Sequence, residues 1–312
     1  ASDTWMEKLG TGLADWKCTV EPLEVTGNCA VIHCRYRDHD GEPLGPARIL
    51  YRGRSADEGD AYNIQPLLTP SIQPEMFTRE VIPAILAFSD NCDDSVILHG
   101  PASEMPERIR ELEIPPGGQC RIVMAFEDYV CAFSKIRLSG GAGAEIGLKW
   151  AEAAFEKDNR AQVYGKEFKG IGDSYVSSGR ADQCFEPIYW NSGRLVELTV
   201  RNAAEPLVIH AVEFIETHYP IVPESRFDCN RPEYRAVTPL LLRTLKMCTH
   251  DVFMDCPYYE RLMYIGDART EALTLMAAAR DDRPVRNALT MFAKSRLQNE
   301  LVMSRYPTRL AQ

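Results

Sequence analysis

Tyr219-Pro220-Ile221-Val222-Pro223 divides the sequence into two different texts. Proline supplies no amide donor and fixes φ, so two prolines this close disfavour both a helix and a central strand, and the segment reads as a connector. Before it, β-branched or alternating runs recur at residues 28–32, 47–52, 95–99, 119–125, 135–138, 145–150, 195–201 and 207–216. Between them lie turn signals: Asp40-Gly41, Pro115-Pro116-Gly117-Gly118, Ser139-Gly140-Gly141-Ala142-Gly143 and Asn191-Ser192-Gly193. Many short strands at such spacing predict a β-sandwich of jelly-roll type over residues 1–220, with 1–75 a candidate separate segment. The glycine-rich stretch 139–143 lies between two strands and lacks a following helix or a GK[ST] sequence, which makes it a turn rather than a phosphate loop.

After the connector the apolar period changes. Val237, Leu240, Leu241, Leu245 and Cys248 form a helical stripe over 237–249, with Pro239 expected in its first turn. A second helix is expected over 268–279, with Asp267 as its cap, and a third over 283–296, with Pro284 near its start. Asp281-Asp282-Arg283 then reads as a helix N-terminus. Strands followed by helices point to separate layers or domains rather than alternating βαβ units. Three helices make a poor domain alone, so residues 221–312 are expected to be a linker plus the opening of a helical domain that is cut short.

Composition narrows the function. The 312 residues carry a net charge of -10, which phosphate backbones and anionic membranes would repel. No apolar run reaches the roughly 18 residues that span a bilayer. The ten cysteines are scattered without a CxxC pair or zinc spacing, so most are expected to be reduced core residues in a cytoplasmic protein. Periplasmic or secreted placement, a disulfide in the N-terminal half and self-association as a homo-oligomer all stay open. No metal or cofactor is implied.

The chemistry concentrates in Asp255-Cys256-Pro257-Tyr258-Tyr259-Glu260-Arg261-Leu262-Met263-Tyr264-Ile265-Gly266-Asp267. Sugar-cleaving sites combine carboxylates, for proton transfer and hydroxyl binding, with aromatic rings. An acid must hold its proton near neutral pH, which an apolar or anionic neighbourhood favours. Glu260 is flanked by Tyr258, Tyr259, Leu262, Met263 and Tyr264, with Asp255 and Asp267 as prospective repelling charges. A solvated acidic cap is the plain alternative. His250 is expected to meet the last carbonyls of its helix, with a bond to a motif carboxylate as the other option. Cys256 reads as a packed thiol and Glu213, Glu216 and His218 as strand residues on alternating faces rather than a metal site. Arg305 and Tyr306 divide evenly between the pocket and a loop anchor.

The thirteen residues resemble the signature of bacterial α-L-rhamnosidases of glycoside hydrolase family 78, in a shorter variant with two tyrosines before the Glu. Ser139-Gly140-Gly141 with Ala151-Glu152-Ala153, the run Phe185-Glu186-Pro187-Ile188-Tyr189-Trp190 with Arg194-Leu195-Val196-Glu197-Leu198, and Ser304-Arg305-Tyr306-Pro307 with Gln312 extend the resemblance over about 75–312. It implies that residues 221–312 open an (α/α)6 catalytic barrel. It also implies inverting hydrolysis of terminal α-L-rhamnose with Glu260 as general acid. Asp255 and Asp267 would bind sugar hydroxyls, Tyr264 would line the apolar sugar face, and Arg261 would orient a carboxylate or hydroxyl. The family's base is a distant downstream Glu, expected beyond this sequence, so the fragment alone is expected to be inactive. Competing readings are a non-catalytic carbohydrate-binding or scaffold protein, and a related (α/α)6 exo-glycosidase for another deoxy sugar.

Overall fold

The structure is a computed structural model that describes residues 72–97, 108–155, 163–297 and 299–307, together with strands at 17–18, 24–28, 31–37 and 45–46. The chain forms two compact units, residues 1–22 with 39–72 and residues 23–38 with 73–312. In the first, β1 (Lys17–Cys18) pairs with β4 (Gly45–Pro46). The second holds the other strands and all the described helices, so the change of character near residue 220 falls inside one unit.

Its strands are β2 (Glu24–Asn28), β3 (Val31–Arg37), β5 (Phe77–Glu80), β6 (Ala84–Ser89), β7 (Arg110–Ile114), β8 (Gln119–Gly140), β9 (Glu145–Ala151), β10 (Ile171–Val176), β11 (Gln183–Phe185), β12 (Asn191–Arg201) and β13 (Leu207–His218). They form one 11-stranded sheet, antiparallel except where β10 meets β3. The expected runs 119–125 and 135–138 are two ends of the single 22-residue β8. Its first part pairs with β6 and β12, and its last part with β13 and β11. One long strand thereby changes partners midway, and its side chains are buried on both faces. Cys120, Ile122, Met124 and Phe126 join the main core, where Trp150 stacks on Phe126 at 5.7 Å and meets Phe214 edge-on. Val123 enters a second cluster with Ile97, Phe168 and Leu195. Arg121 and Glu197 form an ion pair at 2.6 Å in the interior, and Arg121 also donates to the Val96 and Ser95 carbonyls. The pair therefore pins residues 95–96, which enter no named strand.

Several sequence expectations shift. The run 28–32 is divided between the end of β2 and the start of β3, which pair antiparallel. The run 47–52 and Asp40-Gly41 lie outside the described residues. Asn191-Ser192-Gly193, expected as a turn, opens β12, whose register slips between Gly193 and Leu195. The 139–143 stretch is the turn it was expected to be. Gly140 has φ 77°, and an added Cβ there would lie 2.3 Å from the Pro206 carbonyl oxygen.

Three helices follow the connector: α1 (Pro232–Met247), α2 (Ile265–Ala278) and α3 (Arg283–Lys294). α1 starts at Pro232, so Pro239 falls in its interior rather than its first turn. The expected stripe is buried at Leu245 and Cys248 only; Val237, Leu240 and Leu241 are exposed. α2 begins three residues earlier than predicted, because Tyr264 is its N-cap and Asp267 belongs to its first turn, where the helix dipole favours an acid. Tyr219, Ile221, Leu245, Phe253, Met263, Leu275 and Phe292 make the helical core. Cys131, Trp190, Met247 and Met254 join sheet to helices. Glu216, 1% exposed on β13, pairs with Arg79 at 2.7 Å and with Arg243 of α1 at 2.8 Å. Arg243 also donates to the Tyr129 carbonyl. No helix among the described residues is long and apolar enough to cross a membrane.

Candidate active site

Residues 255–264 form a loop that leads into α2, and the sheet holds one side of it. The Asp255 amide donates to the Leu262 carbonyl at 3.0 Å, and the Leu262 amide donates back to Asp255 Oδ1 at 3.0 Å. This reciprocal pair closes the loop, so one carboxylate oxygen of Asp255 is committed to the Leu262 amide. Inside the turn the Glu260 amide donates to the Cys256 sulfur at 3.4 Å, which makes Cys256 a half-buried acceptor.

Two side chains fix the loop to the sheet. Tyr258 is buried in the main β core, and its hydroxyl donates to the Trp150 carbonyl at 2.6 Å. Arg261 has φ 54°. It donates to the carbonyls of Pro257 and Trp190, both at 2.9 Å, and lies 4.7 Å from the Trp190 ring centre. The sequence could not show this. Arg261 turns toward the strand-rich part of the chain, where these groups occupy its guanidinium.

Glu260 stays exposed at the loop tip. Of the aromatic and apolar neighbours expected around it, Tyr258 and Met263 are buried in cores, and Tyr264 is the one that bonds to it. The Tyr264 hydroxyl donates to Glu260 Oε2 at 2.5 Å and accepts from Arg305 Nη1 at 3.0 Å. Donation to Glu260 holds the Tyr264 phenol above its ordinary pKa. Arg305 arrives because residues 304–306 run beside 263–265: the Ile265 amide donates to Ser304 at 2.9 Å and the Tyr306 amide to Met263 at 3.1 Å. Arg305 thus reaches the carboxylate through Tyr264, whereas Tyr306 packs on the helical core.

Asp255 and Asp267 act on a residue that the sequence reading missed. Glu271, one helical turn after Asp267, has its pKa pushed up to about 8, first by burial and then by repulsion from Asp267 and Asp255, against a backbone contact with Met254. Its Oε2 is buried without a hydrogen-bond partner among the described residues. The available signal was the four-residue spacing from Asp267, which places both carboxyls on one helix face.

The lesser candidates resolve as structure. His250 is buried, stacks on Trp190 at 4.2 Å, and its Nε2 meets the Thr217 carbonyl of β13 at 2.9 Å. It therefore bonds neither a motif carboxylate nor the end of its own helix, and burial lowers its pKa to about 4. Glu213 pairs with Arg137 at 3.3 Å. Among the described residues no group of three His, Cys, Asp or Glu side chains is placed to hold a metal.

Residues 223–312 match the family described as the bacterial alpha-L-rhamnosidase 6 hairpin glycosidase domain. No curated protein matches the sequence. Among solved structures, the GH78 family rhamnosidase of Bacillus sp. GL1 is 23% identical with a TM-score of 0.51, over 69% of this chain and 22% of that one. A rhamnosidase from Klebsiella oxytoca with rhamnose bound is 14% identical with a TM-score of 0.53, over 76% and 48%. An alpha-L-rhamnosidase from Dictyoglumus thermophilum is 16% identical with a TM-score of 0.51, over 88% and 28%. The chain therefore spans between about a fifth and a half of the length of these structures. The likenesses show the fold, and the resemblance to bacterial α-L-rhamnosidases read from residues 255–267 is borne out.

Proposed function

We propose that this chain contributes a jelly-roll-like β-sandwich and the first helices of an (α/α)6 barrel (221–312) to a glycosidase that removes terminal α-L-rhamnose with inversion. The observation that carries this is the family match over residues 223–312, which contains Glu260 and the Tyr264–Arg305 pair that holds it.

Glu260 is the general acid. Tyr264 occupies Oε2, which leaves Oε1 to carry the proton toward the glycosidic oxygen. As that proton departs, the carboxylate develops charge, and the Tyr264 donor, polarised by Arg305, stabilises it. Asp267 and the uncommitted oxygen of Asp255 accept sugar hydroxyls. Glu271, whose carboxyl burial and the neighbouring aspartates push up to about 8, stays protonated near neutral pH. Arg261 serves by fixing the loop rather than by meeting the sugar. Inverting enzymes hold their two carboxyls roughly 6.5–9.5 Å apart to admit a water, and no described residue is assigned the base. The test is hydrolysis of an α-L-rhamnoside by the full-length protein, with the configuration of the first-formed sugar followed by proton NMR. Initial β-rhamnose supports the proposal; initial α-rhamnose, or no rhamnose released, refutes it.

A further inference from the structure

Where β7, β13 and β8 meet, a hydrogen-bonded chain runs through three side chains. His210 Nε2 lies 2.8 Å from Ser139 Oγ, and His210 Nδ1 lies 3.1 Å from a carboxylate oxygen of Glu111. A carboxylate only accepts, so Nδ1 carries a proton, and in the neutral imidazole Nε2 then accepts from the serine hydroxyl. This is the order of contacts that activates a serine.

The backbone is arranged to make this chain. On β8, Leu138 faces Ile209 and Arg137 faces Ala211, so His210 is the extra residue of a bulge. Bulges re-aim one side chain and recur beside active sites. On the other side of β13, Leu112 and Arg110 face those same two residues, which sets Glu111 opposite His210. Glu111 has φ 47° and Asp182 has φ 54°, conformations that non-glycine residues adopt at a cost. The Asp182 amide donates to Ser139 Oγ at 2.9 Å. Two adjoining hollows of about 290 and 340 Å³ share Glu111, Arg137 and His210 in their walls. Taken together, the two linings pair Arg108, Arg110 and Arg137 with Glu111, Asp182 and Glu213, so the combined wall carries no net formal charge; Ser139 lines neither hollow and connects to them through His210.

We propose that Ser139, His210 and Glu111 form a second, hydrolytic site that cleaves short, uncharged acyl esters through an acyl-serine. Ser139 Oγ bonds to the acyl carbon while its proton passes to His210 Nε2. The ester C–O bond breaks and the alcohol leaves with that proton. A water then attacks the acyl carbon, giving a proton to Nε2, and the serine takes the proton back as the carboxylic acid departs. Glu111 holds the imidazole and stabilises its charged form, and the Asp182 amide, which donates to Ser139 Oγ, holds the serine hydroxyl in place.

The test uses the full chain and an alkyl fluorophosphonate, with the labelled peptide located by mass spectrometry. The expected result is label on Ser139, slowed on the order of 10³-fold or more by His210→Gln and clearly slowed by Glu111→Gln. Glu111 is 70% exposed, so that substitution leaves the fold intact even where Ser139→Ala does not. No label on Ser139, or labelling that ignores both substitutions, overturns the proposal and leaves a solvated hydrogen-bond chain. The readout involves neither Glu260 nor rhamnose, so its outcome is independent of the glycosidase reading.

Discussion

Glu271→Gln gives a prediction whose size follows from the site. In the folded protein burial, Asp267 and Asp255 push the Glu271 carboxyl up to about 8 from an ordinary value of 4.5. Between those limits the folded state binds a proton that the unfolded chain has released, so stability falls as pH rises. Protonation favours the folded state fully at acid pH, and the advantage disappears on approaching the folded value near 8. Each pH unit in that window costs about 1.4 kcal/mol, so wild type loses about 4 kcal/mol between pH 5 and pH 8 from this group alone, as an upper figure. The glutamine side chain of the variant keeps the shape and cannot ionise. Urea unfolding at pH 5, 6, 7 and 8 should show wild type losing stability more steeply than the variant, with the curves separating most at pH 8. Parallel curves would refute the claim that Glu271 holds a proton behind Asp255 and Asp267.

Glu216→Ala leaves Arg243 partly buried without its carboxylate and should cost about 3–5 kcal/mol by the same urea assay. Tyr258→Phe deletes the hydrogen bond to the Trp150 carbonyl and should cost about 1 kcal/mol, with faster proteolysis in the 255–264 loop. Tyr264→Phe removes the donor to Glu260 and should lower kcat by about 10-fold with little change in KM, as expected for a contact that strengthens when Glu260 becomes charged.

The order of strands and helices was legible because periods of 2 and 3.6 differ over even short runs, and the connector prolines marked the change. β8 was read as two strands because Glu127 and Asp128 interrupt its apolar run on exposed pleats, although the backbone pairing continues past them. α1 began early because Pro232 fits a first turn better than Pro239, and tertiary packing carries the second proline in mid-helix. In the site, the carboxylate spacing singled out Asp255, Glu260 and Asp267. Spacing could not tell which way side chains turn: Arg261 toward Trp190, Tyr258 into the β core, and Tyr264 back onto Glu260. Contacts that span long sequence separations, such as Arg305 with Tyr264, have no local signal.

Leaving-group dependence of Glu260→Gln in the full-length protein tests the assignment of the acid most directly. A general acid matters most when the departing alcohol needs a proton, so turnover on an α-L-rhamnoside with a poor leaving group should fall by about 10²–10⁴-fold. An activated aryl rhamnoside should lose far less. Equal losses on both substrates, or near wild-type turnover on the poor one, would contradict the account of Glu260.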